Sequence, residues 1–348
     1  MQYTAVRPAE LGAAELRRWT ELRAAARGPR NPFLSAEFAR AVGAVRPAAR
    51  VTVLEDGGRI VGFFAHERHG RVARPVGAGL ADAEGLVLEP GAEVDVAALL
   101  GRSGLAGWDF DCLVDGQVPP GAYRTRRELS PVIDLAGGYD PYLAAVKERS
   151  KKWLASTFRK QRKLEREVGE LRFEPHSDDP AVLRTLMGWK SAQYAQLGEW
   201  DRFADPRIVG LAEDVSGSGA AECTGFCSAL HAGEHLVAAH LGPASGSVLS
   251  WWFPGYDVAF GRYSPGILLL FHLAQEAARR GIVQLDLGRG RHDYKDAMMT
   301  GELVVHTGSL DAASVGSLPR RARRIVRAGL RPLVRGTGPI GRTLRAVR

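Results

Sequence analysis

The pattern of apolar and polar positions divides the chain into alternating blocks of two kinds. Apolar residues recur at three- and four-residue spacing over Leu11–Ala26, Ala36–Val45, Tyr142–Val168 and Ala181–Gln196, which predicts helices. Alternation governs Val51–Phe64 and Cys223–His240, each broken by a turn: Asp56-Gly57-Gly58 in the first, His231 to His235 in the second. Both read as β-hairpins. Each hairpin follows a pair of helices and precedes further short strands, Arg74–Leu88 and Ser247–Phe253. The same succession, recurring roughly 175 residues apart, predicts two copies of one α/β (α+β) unit, each a mixed twisted sheet flanked by helices. The turn-rich stretch Asp134–Pro141 marks the boundary, so the expected units are 1–135 and 136–318, followed by a tail, 319–348.

The stretch from Trp251 to Gly301 carries the densest chemistry. Ser250-Trp251-Trp252-Phe253 reads as a buried strand end, where alternation lets only one tryptophan line a pocket. After Tyr256 and Asp257, Tyr263-Ser264-Pro265-Gly266 opens a helix, with Ser264 as N-cap and proline at the first helical position. That helix, Gly266–Arg280, ends at Gly281, and the strand Ile282–Leu287 runs into Gly288-Arg289-Gly290-Arg291-His292-Asp293-Tyr294-Lys295. Strand, capped helix, strand and Gly/Arg loop gather polar groups at one end of a sheet, the usual position of a site in an α/β fold. No nucleophile elbow, P-loop or dinucleotide fingerprint appears, and Gly77-Ala78-Gly79 lacks the rest of such a motif.

Composition adds the class. With 348 residues, 45% hydrophobic and 25% charged, the chain is ordinary globular protein of about two domains. No apolar run approaches the ~18 residues of a membrane span, and Met1-Gln2-Tyr3 shows no basic segment leading an apolar one. A cytoplasmic location is expected. Three cysteines, Cys112, Cys223 and Cys227, without paired spacing argue against disulfides and structural zinc. No metal is expected.

The net charge of +8 is uneven: ten arginines and no acids fall in 319–348, leaving the rest of the chain at −2. The tail reads as a solvated arm or as a contact for an anionic membrane surface, RNA or acidic partner, with peripheral seating on the inner membrane face as one option. A second basic cluster, Lys147 to Lys163, lies where Leu154, Phe158, Leu164 and Val168 recur at helical spacing, so Arg159 and Arg162 decorate an amphipathic helix.

Tyr256-Asp257, Tyr263-Ser264-Pro265-Gly266, Asp286-Leu287-Gly288-Arg289-Gly290 and Tyr294-Lys295 together resemble the CelD-like branch of the GCN-five-related acyltransferases (GNATs). Asn31-Pro32-Phe33-Leu34-Ser35-Ala36-Glu37-Phe38 is similar to its N-terminal segment, and Phe158–Leu164 to its basic helix. The branch is related to the FemABX peptidyltransferases, which carry two GNAT-like domains. The resemblance therefore implies tandem GNAT-like domains, an N-terminal one that is structural or completes the acceptor cleft, and a C-terminal one with the active site. It implies acyl transfer from a thioester donor, acyl-CoA, to an amine or hydroxyl of a small-molecule or glycan acceptor at the cell envelope. One departure stands out: Arg262-Tyr-Ser-Pro-Gly266 replaces the glycine-rich donor signature and puts proline where an N–H would face pyrophosphate. Aminoacyl-tRNA, as in Fem-type enzymes, and a non-catalytic accessory role on an anionic surface stay open.

Under the resemblance, Lys295 holds a phosphate or stabilises the oxyanion, and Asp286 accepts a proton or orients Lys295. Tyr256 and Tyr294 are candidate acids and Asp257 a candidate base. Arg262, Tyr263, Ser264, Gly266 and Arg289 are expected to bind the donor, and Trp252, Arg159 and Arg162 the substrate. His240 titrates in the right range for a base, although a lone strand histidine usually serves the core.

Overall fold

The computed structural model describes residues 1–26, 30–312 and 317; the arginine tail lies outside them. The N-terminal half opens with β1 (Gln2–Val6), α1 (Ala13–Ala25) and α2 (Ala36–Val45). The hairpin β2 (Ala49–Asp56) and β3 (Arg59–His69) follows, joined at Gly57 and Gly58, both at positive φ as such a turn requires. Then come β4 (Val72–Pro75), β5 (Leu86–Leu88), α3 (Val96–Arg102), β6 (Gly107–Val114) and β7 (Tyr123–Asp134). The short strands expected over Arg74–Leu88 are β4 and β5, with a loop between them in which Gly77 and Gly79 adopt φ of 71° and 78°.

The C-terminal half runs α4 (Tyr139–Glu167), β8 (Leu171–Glu174), α5 (Pro180–Leu197), α6 (Pro206–Ser216) and β9 (Gly219–Ala220). The second hairpin is β10 (Cys223–Ala232) with β11 (His235–Ala244). After it come β12 (Val248–Ser250), β13 (Phe253–Tyr256), α7 (Pro265–Arg279), β14 (Gln284–Asp286), α8 (Asp293–Met298) and β15 (Gly301–Asp311). The long α4 buries Tyr142, Val146, Leu154 and Leu164 and leaves Arg159, Arg162 and Lys163 exposed, as its periodicity predicts.

One continuous sheet joins the halves, in the order β1-β2-β3-β4-β6-β15-β7-β14-β12-β11-β10-β8. The last strand, β15, inserts between β6 and β7, so the C-terminal segment completes the sheet of the N-terminal half. A shared core seals the join: Phe33 and Phe38 pack edge-on to Trp252, among Ile208, Leu211 and Phe253.

The sheet splits at one place. β12 pairs in parallel with β14 up to Ser250 opposite Asp286, and Trp251 N–H still donates to Asp286 O at 2.8 Å. Beyond it the chain peels away, and β13 pairs with β11 instead. The wedge between β13 and the loop after β14 is the mouth of a cleft.

Candidate active site

A cavity of about 710 Å³ fills this wedge. Lys295, only 6% exposed, sits in its wall. Its Nζ donates to Gly288 O at 2.9 Å and to Arg289 O at 3.4 Å, so two main-chain carbonyls fix the ammonium at the end of β14. Burial pulls its pKa below the ordinary lysine value, while Asp82 and Asp286 pull the other way.

Gly288 is required here on two counts. Its φ is 73°, and a Cβ would meet the Asp82 carboxylate at 3.1 Å. Asp82 thus lies against the same glycine that holds Lys295. Burial and the neighbouring Asp286 raise the Asp82 pKa to about 7, with Lys295 and Arg289 opposing the shift. Asp82 comes from the N-terminal half, on the loop between β4 and β5, and the sequence reading missed it. The available signal was a pair of carboxylates, Asp82 and Glu84, inside the apolar run Leu80–Leu88.

Asp286 is buried and does not line the cleft. Its Oδ1 accepts from Ser130 Oγ at 2.9 Å and Gly288 N–H at 3.0 Å, and its Oδ2 accepts from Asn31 Nδ2 at 3.2 Å. It ties the N-terminal segment, β7 and the Gly288 loop together, and burial raises its pKa. Neither Asn31 nor Ser130 carries a sequence signal that links it to Asp286; folding alone brings them there.

The opposite wall is the start of α7. Ser264 occupies the N-cap position but at φ 57°, and its side chain makes no capping bond. Instead its hydroxyl accepts from Lys160 Nζ of α4 at 2.9 Å. The left-handed backbone turns Oγ away from the helix N–H groups, which corrects the expected cap. Pro265 has no N–H, and Ile267 and Leu268 donate to Ser264 O. Gly266, lining the cleft, then supplies the first-turn donor nearest the cavity.

Tyr256, at 44% exposure, stands at the lip beside Gly266. Asp257 lines the cleft while its Oδ1 accepts from Ala259 N–H at 2.8 Å, capping the short helix Val258–Tyr263. Burial raises the Tyr294 phenol above its usual value, partly offset by the Trp251 indole. Both tryptophans line the cleft, contrary to the alternation argument, because Trp251 and Trp252 fall between β12 and β13 and not within a strand. Trp252 Nε1 donates to Leu80 O at 2.8 Å, fixing the loop that carries Asp82. Trp189 and Lys190 of α5 complete the wall, and burial together with Arg202 lowers Lys190 to about 8.

Other candidates lie outside the cleft or are engaged elsewhere. Tyr263 is buried, its hydroxyl donating to Glu167 at 2.7 Å and accepting from Arg262, so this pair pins the Val258–Tyr263 helix to α4. Arg159 and Arg162 stand exposed on α4. Arg289 lines the cleft, but its guanidinium pairs with Asp111, including Nη2 to Oδ2 at 3.1 Å, and approaches Glu128 at 3.5 Å. His240 is fully buried, stacked on Trp251 and bonded to Ser250 O at 3.0 Å; burial lowers it to about 3, so it is a neutral core residue. Among the described residues no cluster of His, Cys, Asp and Glu is arranged to hold a metal ion. No helix among them is long and apolar enough to cross a membrane.

A family model described as an acetyltransferase (GNAT) domain matches residues 152–296, from the middle of α4 into α8. Among solved structures, FemX superposes with a TM-score of 0.61 at 10% identity, over 92% of this chain and 98% of FemX. A conserved protein of unknown function from Bacteroides thetaiotaomicron reaches 0.57 at 10% identity, over 87% and 98%. No curated protein matches the sequence. At such identities the likeness in shape is one of fold, and it spans both halves. The match to the acetyltransferase (GNAT) domain thus covers residues 152–296, set within a larger mixed α/β fold.

Proposed function

We propose that this protein transfers an acyl group from a thioester donor, acyl-CoA, to an amine or hydroxyl of a small-molecule or glycan acceptor at the cell envelope, in the manner of CelD-like GNATs. The observation that carries this reading is the buried Lys295 ammonium, held by two carbonyls opposite Asp82, in one cleft with the first turn of α7. An amine acceptor arrives as an ammonium and must lose a proton before it attacks. Asp82, poised near neutral pH, takes that proton. The acceptor nitrogen bonds to the carbonyl carbon, the oxyanion is stabilised by Lys295, and the C–S bond breaks as the tetrahedral intermediate collapses. Tyr294 or Tyr256 protonates the leaving thiolate and recovers its proton from the nitrogen that has become the amide. Gly266 N–H, with Ser264 and Lys160, offers donors for the donor's phosphates; Pro265 leaves that set one amide short.

A second reading, aminoacyl transfer from aminoacyl-tRNA, is favoured by the basic face of α4, since Lys160 reaches Ser264 and Arg159, Arg162 and Lys163 continue outward from it. Native mass spectrometry and calorimetry with acetyl-CoA, longer acyl-CoAs and bulk aminoacyl-tRNA separate the two. CoA-ester binding with turnover reduced about 10²-fold or more in Lys295→Ala, the fold intact by circular dichroism, supports the first. Full activity in Lys295→Ala removes it. Binding only to charged tRNA, with a steep salt dependence, supports the second, and binding to neither leaves an accessory protein on an anionic surface.

A further inference from the structure

Beside the cleft lies a second, shallower cavity of about 610 Å³ that no part of the proposed reaction uses. Its floor is one face of the three central strands: Asp111 from β6, Thr307 and Ser309 from β15, and Arg124, Arg126 and Glu128 from β7. Arg289 forms the wall shared with the cleft and lines both cavities. Its carbonyl accepts from Lys295, while its guanidinium reaches the other way to Asp111 and Glu128.

The charges in this cavity do not cancel. Arg289 occupies both carboxylates of the lining, Asp111 and Glu128, while the Ser309 hydroxyl donates to Asp109 at 2.8 Å. Neither Arg124 nor Arg126 has a carboxylate within ion-pair distance among the described residues; Arg124 only lies over the Tyr123 ring, 5.9 Å from its centroid. Two exposed guanidinium groups beside the Thr307 hydroxyl are a surface for an oxyanion.

β7 carries an irregularity at this face. Thr307 pairs with Arg126 and Ser309 with Tyr123, so Arg124 and Thr125 oppose Gly308 alone in a β-bulge. Arg124 takes φ 56°, a left-handed conformation uncommon for a long side chain. Gly308 admits no side chain, since a Cβ would meet Phe110 at 2.5 Å. Arg124, Arg126 and Glu128 stand at alternate positions of β7 and line the same cavity face, with the bulge at Arg124 marking the end of regular pairing.

We infer that Arg124 and Arg126 form a subsite for an oxyanion, a phosphate or carboxylate carried by the acceptor, placed next to the acyl-transfer cleft across Arg289. The acceptor assignment rests on the acyl-transfer reading, whereas the anion site itself is tested without turnover. The full-length protein is titrated with inorganic phosphate and separately with acetate, followed by calorimetry and by amide resonances of Thr307–Ser309. Phosphate or acetate shifts those resonances in the wild type. Arg124→Ala/Arg126→Ala weakens binding tenfold or more, Arg126→Lys recovers part of it, and Lys295→Ala leaves it unchanged. The stronger of the two anions identifies the group. Phosphate-induced shifts of the Thr307–Ser309 resonances that persist in the double variant, or wild-type resonances unmoved by both anions, overturn the site. Reversal by acetyl-CoA of the phosphate shifts at Thr307–Ser309 overturns its acceptor role, because it puts the anion at the donor's position.

Discussion

Asp82 and Lys295 show how a residue's chemistry is set by what surrounds it. In water a carboxylate and an ammonium would both be charged at neutral pH with little effect on each other. Here Asp82 lies near Asp286 in a largely dry wall, and its pKa moves up to about 7. Two consequences follow with opposite signs. As a base, Asp82 works only above that value, so kcat/KM is expected to rise through about pH 7; Asp82→Asn removes that limb and lowers turnover by about 10²-fold or more. As a stability term, its raised pKa favours the folded state below the unfolded value near 4, and this contribution is lost as pH rises through about 7. Asp82→Asn is therefore expected to be more stable than the wild type at pH 8, measured by urea denaturation. A variant that loses activity and stability together at pH 8 would point to a merely structural carboxylate.

At the scale of elements, the cleft exists because β12 and β13 cannot both follow β14. Close approach of β11 to β12 forces the separation. At Gly242 a Cβ would lie 1.9 Å from Ser250 O, so only glycine lets the two strands sit at this distance. The same Ser250 carbonyl accepts from His240, locking the strand end from which Trp251 departs. Gly242→Ala is expected to destabilise the protein by about 3 kcal/mol, the upper end of ordinary overpacking, in chemical denaturation. An alanine variant of wild-type stability would show that the strands can part freely. Ser264 illustrates the same scale. Its identity and its place before Pro265 were legible, but whether its hydroxyl caps the helix depends on one backbone angle that the neighbouring α4 and the Val258–Tyr263 helix impose.

The whole molecule is joined by contacts that no local pattern announces. Arg23 of α1, 4% exposed, donates to Glu222 at 2.9 Å and to Asn31 O at 2.8 Å, a buried ion pair between the halves. Removing one partner leaves a buried charge uncompensated, so Glu222→Ala should cost about 3–5 kcal/mol, read as a lower midpoint in urea. A change below 1 kcal/mol would mean that water reaches Arg23 and the halves meet less tightly.

Helices α1, α2, α4, α5 and α7, both hairpins and the Pro265 start of α7 were readable from residue order, because periods of two and 3.6 and the demands of glycine and proline are local, whereas α3, α6 and α8, which takes up the end of the polar Gly288–Lys295 stretch, were not. The insertion of β15 between β6 and β7, the approach of Asp82 to Gly288, the capture of Asp286 by Asn31 and Ser130, and the bulge at Arg124 were not readable either. Each joins residues from about 150 to more than 250 positions apart. Desolvation and pairing, which turn ordinary carboxylates and a lysine into a candidate site, arise only when those distant segments pack.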